Sequence, residues 1–151
     1  MHFIHFEKRG RWELKMKIKK VHTIRLNKGD EIVAKLTDFC RKNNIANGIV
    51  SAIGAVSSAE LALYRLDDKK YFSKKFEEPL EICSLNGNIA LLDNKPFLHI
   101  HAVLSNTRMT AFGGHLKSAI VSATCEVTIS EFDSKIGRKY DENIGLNLMD
   151  V

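Results

Sequence analysis

Three histidines carry the clearest chemistry in this sequence. His99 and His101 stand in Leu98-His99-Ile100-His101, and His115 follows Phe112-Gly113-Gly114. Successive side chains of a strand alternate faces, so residues i and i+2 share one. His99 and His101 therefore point the same way in an extended segment, and two imidazoles so placed can hold one metal ion. Gly113-Gly114 lets the backbone before His115 approach a neighbour closely or take a positive φ. Three histidines with a fourth position left open make a catalytic-type zinc site rather than a closed structural one. Imidazole also suits iron, nickel or copper. The expected cofactor is a divalent metal, with zinc first and iron or nickel next. The plainer alternative is three polar side chains on a partly buried sheet. Glu81, in Pro79-Leu80-Glu81-Ile82-Cys83, is the candidate base or histidine-orienting carboxylate. Its plainer alternative is an ion pair on an exposed strand face. Cys83 and Cys125 lie in apolar, β-rich surroundings and read as small core residues.

The elements that must position these residues follow from periodicity. Val21–Leu26 alternates as a short strand. Asn27-Lys28-Gly29-Asp30 is a turn leading to a helix cap, with Asp30 as N-cap and Glu31 in the first turn. Ile32, Val33, Leu36, Phe39 and Cys40 then recur at helical spacing, which predicts one principal helix over about 30–43. Strands follow at 48–55, 59–66 and 70–76, the last two as a hairpin over Asp67-Asp68-Lys69-Lys70. Residues 80–92 carry two strand-like halves around Asn86-Gly87. Segments 97–104, 110–116 and 119–132 are further strands. The polar stretch 135–151, with scattered leucines, is expected to wrap the surface. One helix and six to eight strands joined by short turns predict an α+β fold: a single compact domain with a mainly antiparallel sheet. No glycine-rich loop opens a helix after a strand, so no Rossmann or P-loop nucleotide site is expected.

Charge divides unevenly along the 151 residues. The net charge is +5, and residues 1–20 hold all of it, with seven basic side chains (Lys8, Arg9, Arg11, Lys15, Lys17, Lys19, Lys20) against Glu7 and Glu13. Residues 21–151 balance at sixteen basic and sixteen acidic. The expected organisation is thus a basic N-terminal arm, 1–20, and a neutral domain, 21–151. Met16 is a second candidate start that would remove most of the arm. Such an arm can bind phosphate backbones with strong salt dependence; it can equally be a solvated tail. Arg9-Gly10-Arg11 resembles the centre of an AT-hook, with Trp12 where the hook has proline. The prefix lacks the apolar core of a secretory signal. No window is apolar enough for a membrane helix, so no membrane partner is expected. Three widely spaced cysteines without a CxxC pair predict free thiols and a cytoplasmic location.

The histidine segments, taken with their context, resemble the plants-and-prokaryotes-conserved (PPC) domain, in its prokaryotic form. The context includes Arg25-Leu26 with Gly29-Asp30-Glu31-Ile32, Ile53-Gly54-Ala55-Val56, Phe76–Ile82, Leu85-Asn86-Gly87 and Tyr140–Leu148. The resemblance spans about residues 20–150. It implies a compact α+β domain that forms a homotrimer. It implies a DNA-associated role, since plant members follow AT-hooks and prokaryotic members share the DNA-binding name by analogy. His99, His101 and His115 match the family's HxH and GGH positions, a cluster that looks able to hold metal in some members. The expected function is therefore a trimeric DNA-binding module with a three-histidine metal site. The alternatives are a metal-dependent lyase or hydrolase acting on a small polar substrate, and an oligomerisation or protein-interaction module.

Overall fold

The computed structural model describes residues 13–151. The hook-like Arg9-Gly10-Arg11 and the arm residue Lys8 lie outside them. Among the described residues are eight strands and one helix: β1 Ile18–Asn27, α1 Ile32–Lys42, β2 Gly48–Arg65, β3 Lys70–Phe76, β4 Leu80–Leu92, β5 Lys95–Ser105, β6 Ala111–Phe132, β7 Gly137–Asp141 and β8 Leu146–Asp150. All pair antiparallel except a single parallel bridge, Leu91 to Gly137, between β4 and β7. The α+β, mainly antiparallel expectation therefore holds.

β2 pairs both β4 and β6, β6 pairs β5, and β5 pairs β4. These four strands close into a ring around the core. Val50, Val56, Leu85, Ile89, Ile100, Leu104, Val121 and Ile129 fill it, all nearly inaccessible to solvent. The helix buries Ile32, Leu36 and Cys40 against the core cluster, with Val33 and Phe39 partly buried beside them. That is the expected apolar stripe.

The elements are longer than periodicity alone implies. β2, β4 and β6 each run unbroken where shorter pieces are expected, because bulges near Gly54, Cys83 and Ser118 absorb the phase changes. A bulge adds a residue without ending the strand. β1 begins at Ile18, so Lys19 and Lys20 belong to a strand. The C-terminal segment, expected only to wrap the surface, also holds a hairpin, β7–β8. Two local expectations fail outright. Glu31, not Asp30, caps the helix: its carboxylate accepts from the Val33 and Ala34 N–H groups. Asp30 is already engaged, accepting from the Asn27 N–H and pairing with Lys35. Cys83 is exposed because it alternates with the buried Ile82, whereas Cys125 is buried as expected.

The arm joins the ring through a buried carboxylate. The Glu131 side chain on β6 is only 6% exposed; Lys19 Nζ donates to its Oε1 at 2.6 Å, and His22 Nε2 lies 3.2 Å from its Oε2. The Lys19 hydrogen bond foremost holds the Glu131 carboxyl below its ordinary value. A carboxyl lowered by folding stabilises the protein above the unfolded carboxylate range, and this contribution is lost as pH falls through the folded value. E131Q is accordingly expected to lower the melting temperature at pH 7 by about 2–4 °C, the shift a ~1 kcal/mol loss gives in a domain of this size. It should also narrow the difference in melting temperature between pH 7 and pH 3. Circular dichroism melts across pH check both effects.

Candidate metal centre

His99 and His101 lie two apart on β5 and share a face, as alternation requires. β4 sets Asn88 opposite His99 and Asn86 opposite His101. His115, on β6, sits directly across from His101. Gly113 and Gly114 make that pairing tight. A Cβ at Gly113 would lie 2.7 Å from the Ala102 carbonyl oxygen on one side, and one at Gly114 would lie 2.9 Å from that of Ala62 on the other. Neither glycine has a positive φ, so close approach, the first of the two expected uses, is the one that operates.

The three rings converge. Their centroids are 5.1 Å (His99–His101), 5.2 Å (His99–His115) and 5.5 Å (His101–His115) apart. His99 Nε2 and His101 Nε2 lie 3.2 Å apart. One ligand-type nitrogen from each ring lies within 4.8 Å of the others. His115 Nδ1 is buried without a hydrogen-bond partner, and a buried polar atom left so costs about 1–3 kcal/mol. Burial first, then the neighbouring histidines and Lys117, pulls the His115 imidazole down to about 4. Burial, His101 and Arg138 lower His99 as well. Both rings are therefore neutral at pH 7, the form in which imidazole offers a lone pair to a metal. Three converging imidazoles, with His99 and His115 half-buried and neutral and His115 Nδ1 without a hydrogen bond, fit a divalent ion.

A cavity of about 400 Å³ opens beside the cluster, lined by His99, His115, Tyr71, Asn88, Phe97 and Arg138, with β8 as its far wall. The Tyr71 ring lies 5.1 Å from that of His115. Arg138, on β7, is fixed at three points. Its Nη1 donates to the Asn147 carbonyl oxygen at 2.9 Å, its Nη2 donates to Asn88 Oδ1, and its guanidinium lies 5.0 Å from the Phe97 ring centroid. Sequence reasoning missed Arg138 and Asn88. Five residues of β7 are too few to show a period, and Asn88 gains significance only from the register that sets it against His99.

The remaining candidates lie elsewhere. Glu81 is exposed and pairs with Ser105. Ser105 is four residues beyond His101 on β5, about 14 Å along the strand. Glu81 and the histidines are therefore not brought together within the chain. Lys15, Lys17, Lys19 and Lys20 are exposed along the start of β1 and the residues before it, with Lys19 held by Glu131.

The fold and the site define an α+β domain with a closed antiparallel ring and a three-histidine candidate metal centre. The chain belongs to the Plants and Prokaryotes Conserved (PCC) domain family, whose model matches residues 14–133. It is 37% identical to a metal-containing protein from Archaeoglobus fulgidus, with a TM-score of 0.88, covering 93% of this chain and all of that one. A plant- and prokaryote-conserved protein from Pyrococcus horikoshii is 29% identical, with a TM-score of 0.86, covering 91% and 95%. A Bacteroides thetaiotaomicron protein described as a "putative DNA binding protein" is 32% identical, with a TM-score of 0.84, covering 89% and 96%. No curated protein matches the chain. No helix among the described residues is long and apolar enough to cross a membrane.

Proposed function

We propose that the domain holds a divalent metal ion, zinc in the first instance, through His99, His101 and His115, and uses the position left open on a small polar substrate. The observation that carries this reading is the convergence of three imidazole nitrogens within 4.8 Å at the mouth of a cavity. The metal-containing relative from Archaeoglobus fulgidus supports it. A bound ion would supply Lewis acidity at its open position; lyase and hydrolase chemistry both use it. The protein's own part is to keep His99 and His115 neutral, fix the faces of the three imidazoles through the β4–β5–β6 register, and shape the cavity. Titration with cobalt(II) tests this reading. The expected result is a visible spectrum that saturates at about one ion per chain and changes when azide is added, because an open position exchanges ligands. A saturating spectrum indifferent to azide would mean a closed site and would overturn the substrate-binding part of the reading.

A second reading rests on the arm. DNA association is supported by the +5 charge of residues 1–20 and by the name given to the Bacteroides relative. In a homotrimer, three arms on one assembly would multiply the overall affinity through avidity if they reach one duplex. Exposed Ile49 and Ile53 on one face of β2 supply apolar surface for such an assembly. Free cysteines among the described residues fit a cytoplasmic setting. Replacing Lys8, Arg9, Arg11 and Lys15 with glutamine leaves β1 intact. The change is expected to weaken DNA binding in gel shifts and to flatten its dependence on salt. The log–log slope should fall by about 0.9 for each phosphate that is no longer neutralised. An unchanged slope would remove the arm from the account.

A further inference from the structure

We propose that the cavity beside the three histidines is an anion site, and that Arg138 takes the carboxylate of a small organic acid whose remaining polar group faces the histidine centre. This inference deepens the metal-site reading and rests on it for the second half of that interaction. The cavity lining includes no aspartate or glutamate, and among the described residues no carboxylate forms an ion pair with Arg138. Its neighbours are neutral: the Asn147 carbonyl, the Asn88 side-chain amide and the Phe97 ring. Arg138 Nε is buried with no hydrogen-bond partner. A half-buried guanidinium without a counter-ion is costly to keep. A ligand carboxylate removes that cost.

The size and charge of the site favour carboxylate over phosphate. A cavity of about 400 Å³ sits at the small end of ligand pockets. At the Arg138 end one guanidinium and no lysine line the cavity, so that end matches the single charge of a carboxylate, whereas phosphate brings close to two; a divalent ion would add its own charge only at the histidine end. The planar guanidinium fork also matches a carboxylate. Asn88 links the two ends of the site. It stands opposite His99 in the β4–β5 register and accepts from Arg138 Nη2, so it ties the anion pole on β7 to the strand pair that carries His99 and His101. The ligand class is therefore a short hydroxy or oxo acid, with its carboxylate at Arg138 and its hydroxyl or carbonyl oxygen towards His99 and His115.

Equilibrium dialysis of the full chain with labelled glycolate tests this, using zinc-loaded and chelator-treated protein. Ethylene glycol and inorganic phosphate serve as competitors, and R138Q and R138K as variants. The expected result is saturable glycolate binding to zinc-loaded wild type, weakened about tenfold or more in R138Q, the size of losing a charge-assisted hydrogen bond. Zinc content should be unchanged in R138Q, and ethylene glycol should not compete. R138K, which keeps the charge and loses the fork, should bind with intermediate strength; it decides the matter if R138Q does not fold. Equal binding by wild type and both variants, or no binding by wild type, would overturn the assignment. Displacement by phosphate at lower concentration than glycolate would overturn the choice of carboxylate. If the chain takes up no zinc, the metal reading falls. The Arg138 dependence of glycolate binding to the metal-free protein then still decides whether the anion site exists.

Discussion

His101→Ala is expected to reduce zinc affinity by more than about 100-fold. Loss of groups that merely support a metal's ligands costs about 10–100-fold, and His101 would be a ligand itself. It faces His115 directly across the β5–β6 pair and lies 3.2 Å from His99 through Nε2. Its removal leaves two imidazoles, too few to hold the ion against water. His101 is exposed, so alanine there opens no cavity in the core, and the fold should persist. Competition against a zinc-chelating dye measures the affinity, and a circular dichroism melt confirms the fold. An unchanged affinity in a folded variant would remove His101 from the centre.

Gly87→Ala is expected to be the most damaging single methyl group near the site. A Cβ at residue 87 would lie 2.3 Å from the His99 carbonyl oxygen and 3.0 Å from Ile100 Cα. Both are backbone atoms of β5, so no side chain can swing aside, and the strand carrying two of the three histidines must move. Overpacking of this kind costs about 1–3 kcal/mol and occasionally more. For a domain of this length that lowers the melting temperature by several degrees, at about 2–4 °C per kcal/mol. Because Gly87 pairs with Ile100, between the Asn86–His101 and Asn88–His99 pairs, the same shift should spread the imidazoles and weaken zinc binding. Melts and dye competition on one preparation read both effects. A variant as stable as wild type would show that β5 accommodates the methyl group and that the register is less rigid than its packing implies.

How much of this was legible in the sequence depended on how local each feature is. His99 and His101 share a face by strand alternation alone, so their pairing needs no knowledge of the fold. Placing His115 beside them requires β5 and β6 to pair across the turn between Ser105 and Ala111; the motif resemblance, rather than spacing, pointed there. The helix was legible from its apolar stripe, but its cap was not. Choosing Glu31 over Asp30 depends on the Asn27 turn and Lys35 already claiming the aspartate, and on the Ala119 N–H also donating to Glu31. Strand lengths were underestimated because bulges interrupt the period-two pattern without interrupting hydrogen bonding. Arg138 was invisible for a different reason. It comes from a short hairpin at the far end of the chain, and its significance lies in its neighbours Asn88, Phe97 and Asn147, brought together only by the fold. Glu81, an attractive carboxylate in sequence, lies well along the sheet from the histidines.

Elemental analysis of the tag-free protein, purified without chelators and measured against protein concentration, tests the central claim most directly. The three-histidine centre predicts about one divalent metal ion per chain, with zinc dominant. No metal in the purified chain, and none retained after incubation with zinc or iron and desalting, would contradict it. His99, His101 and His115 would then be polar residues of the sheet.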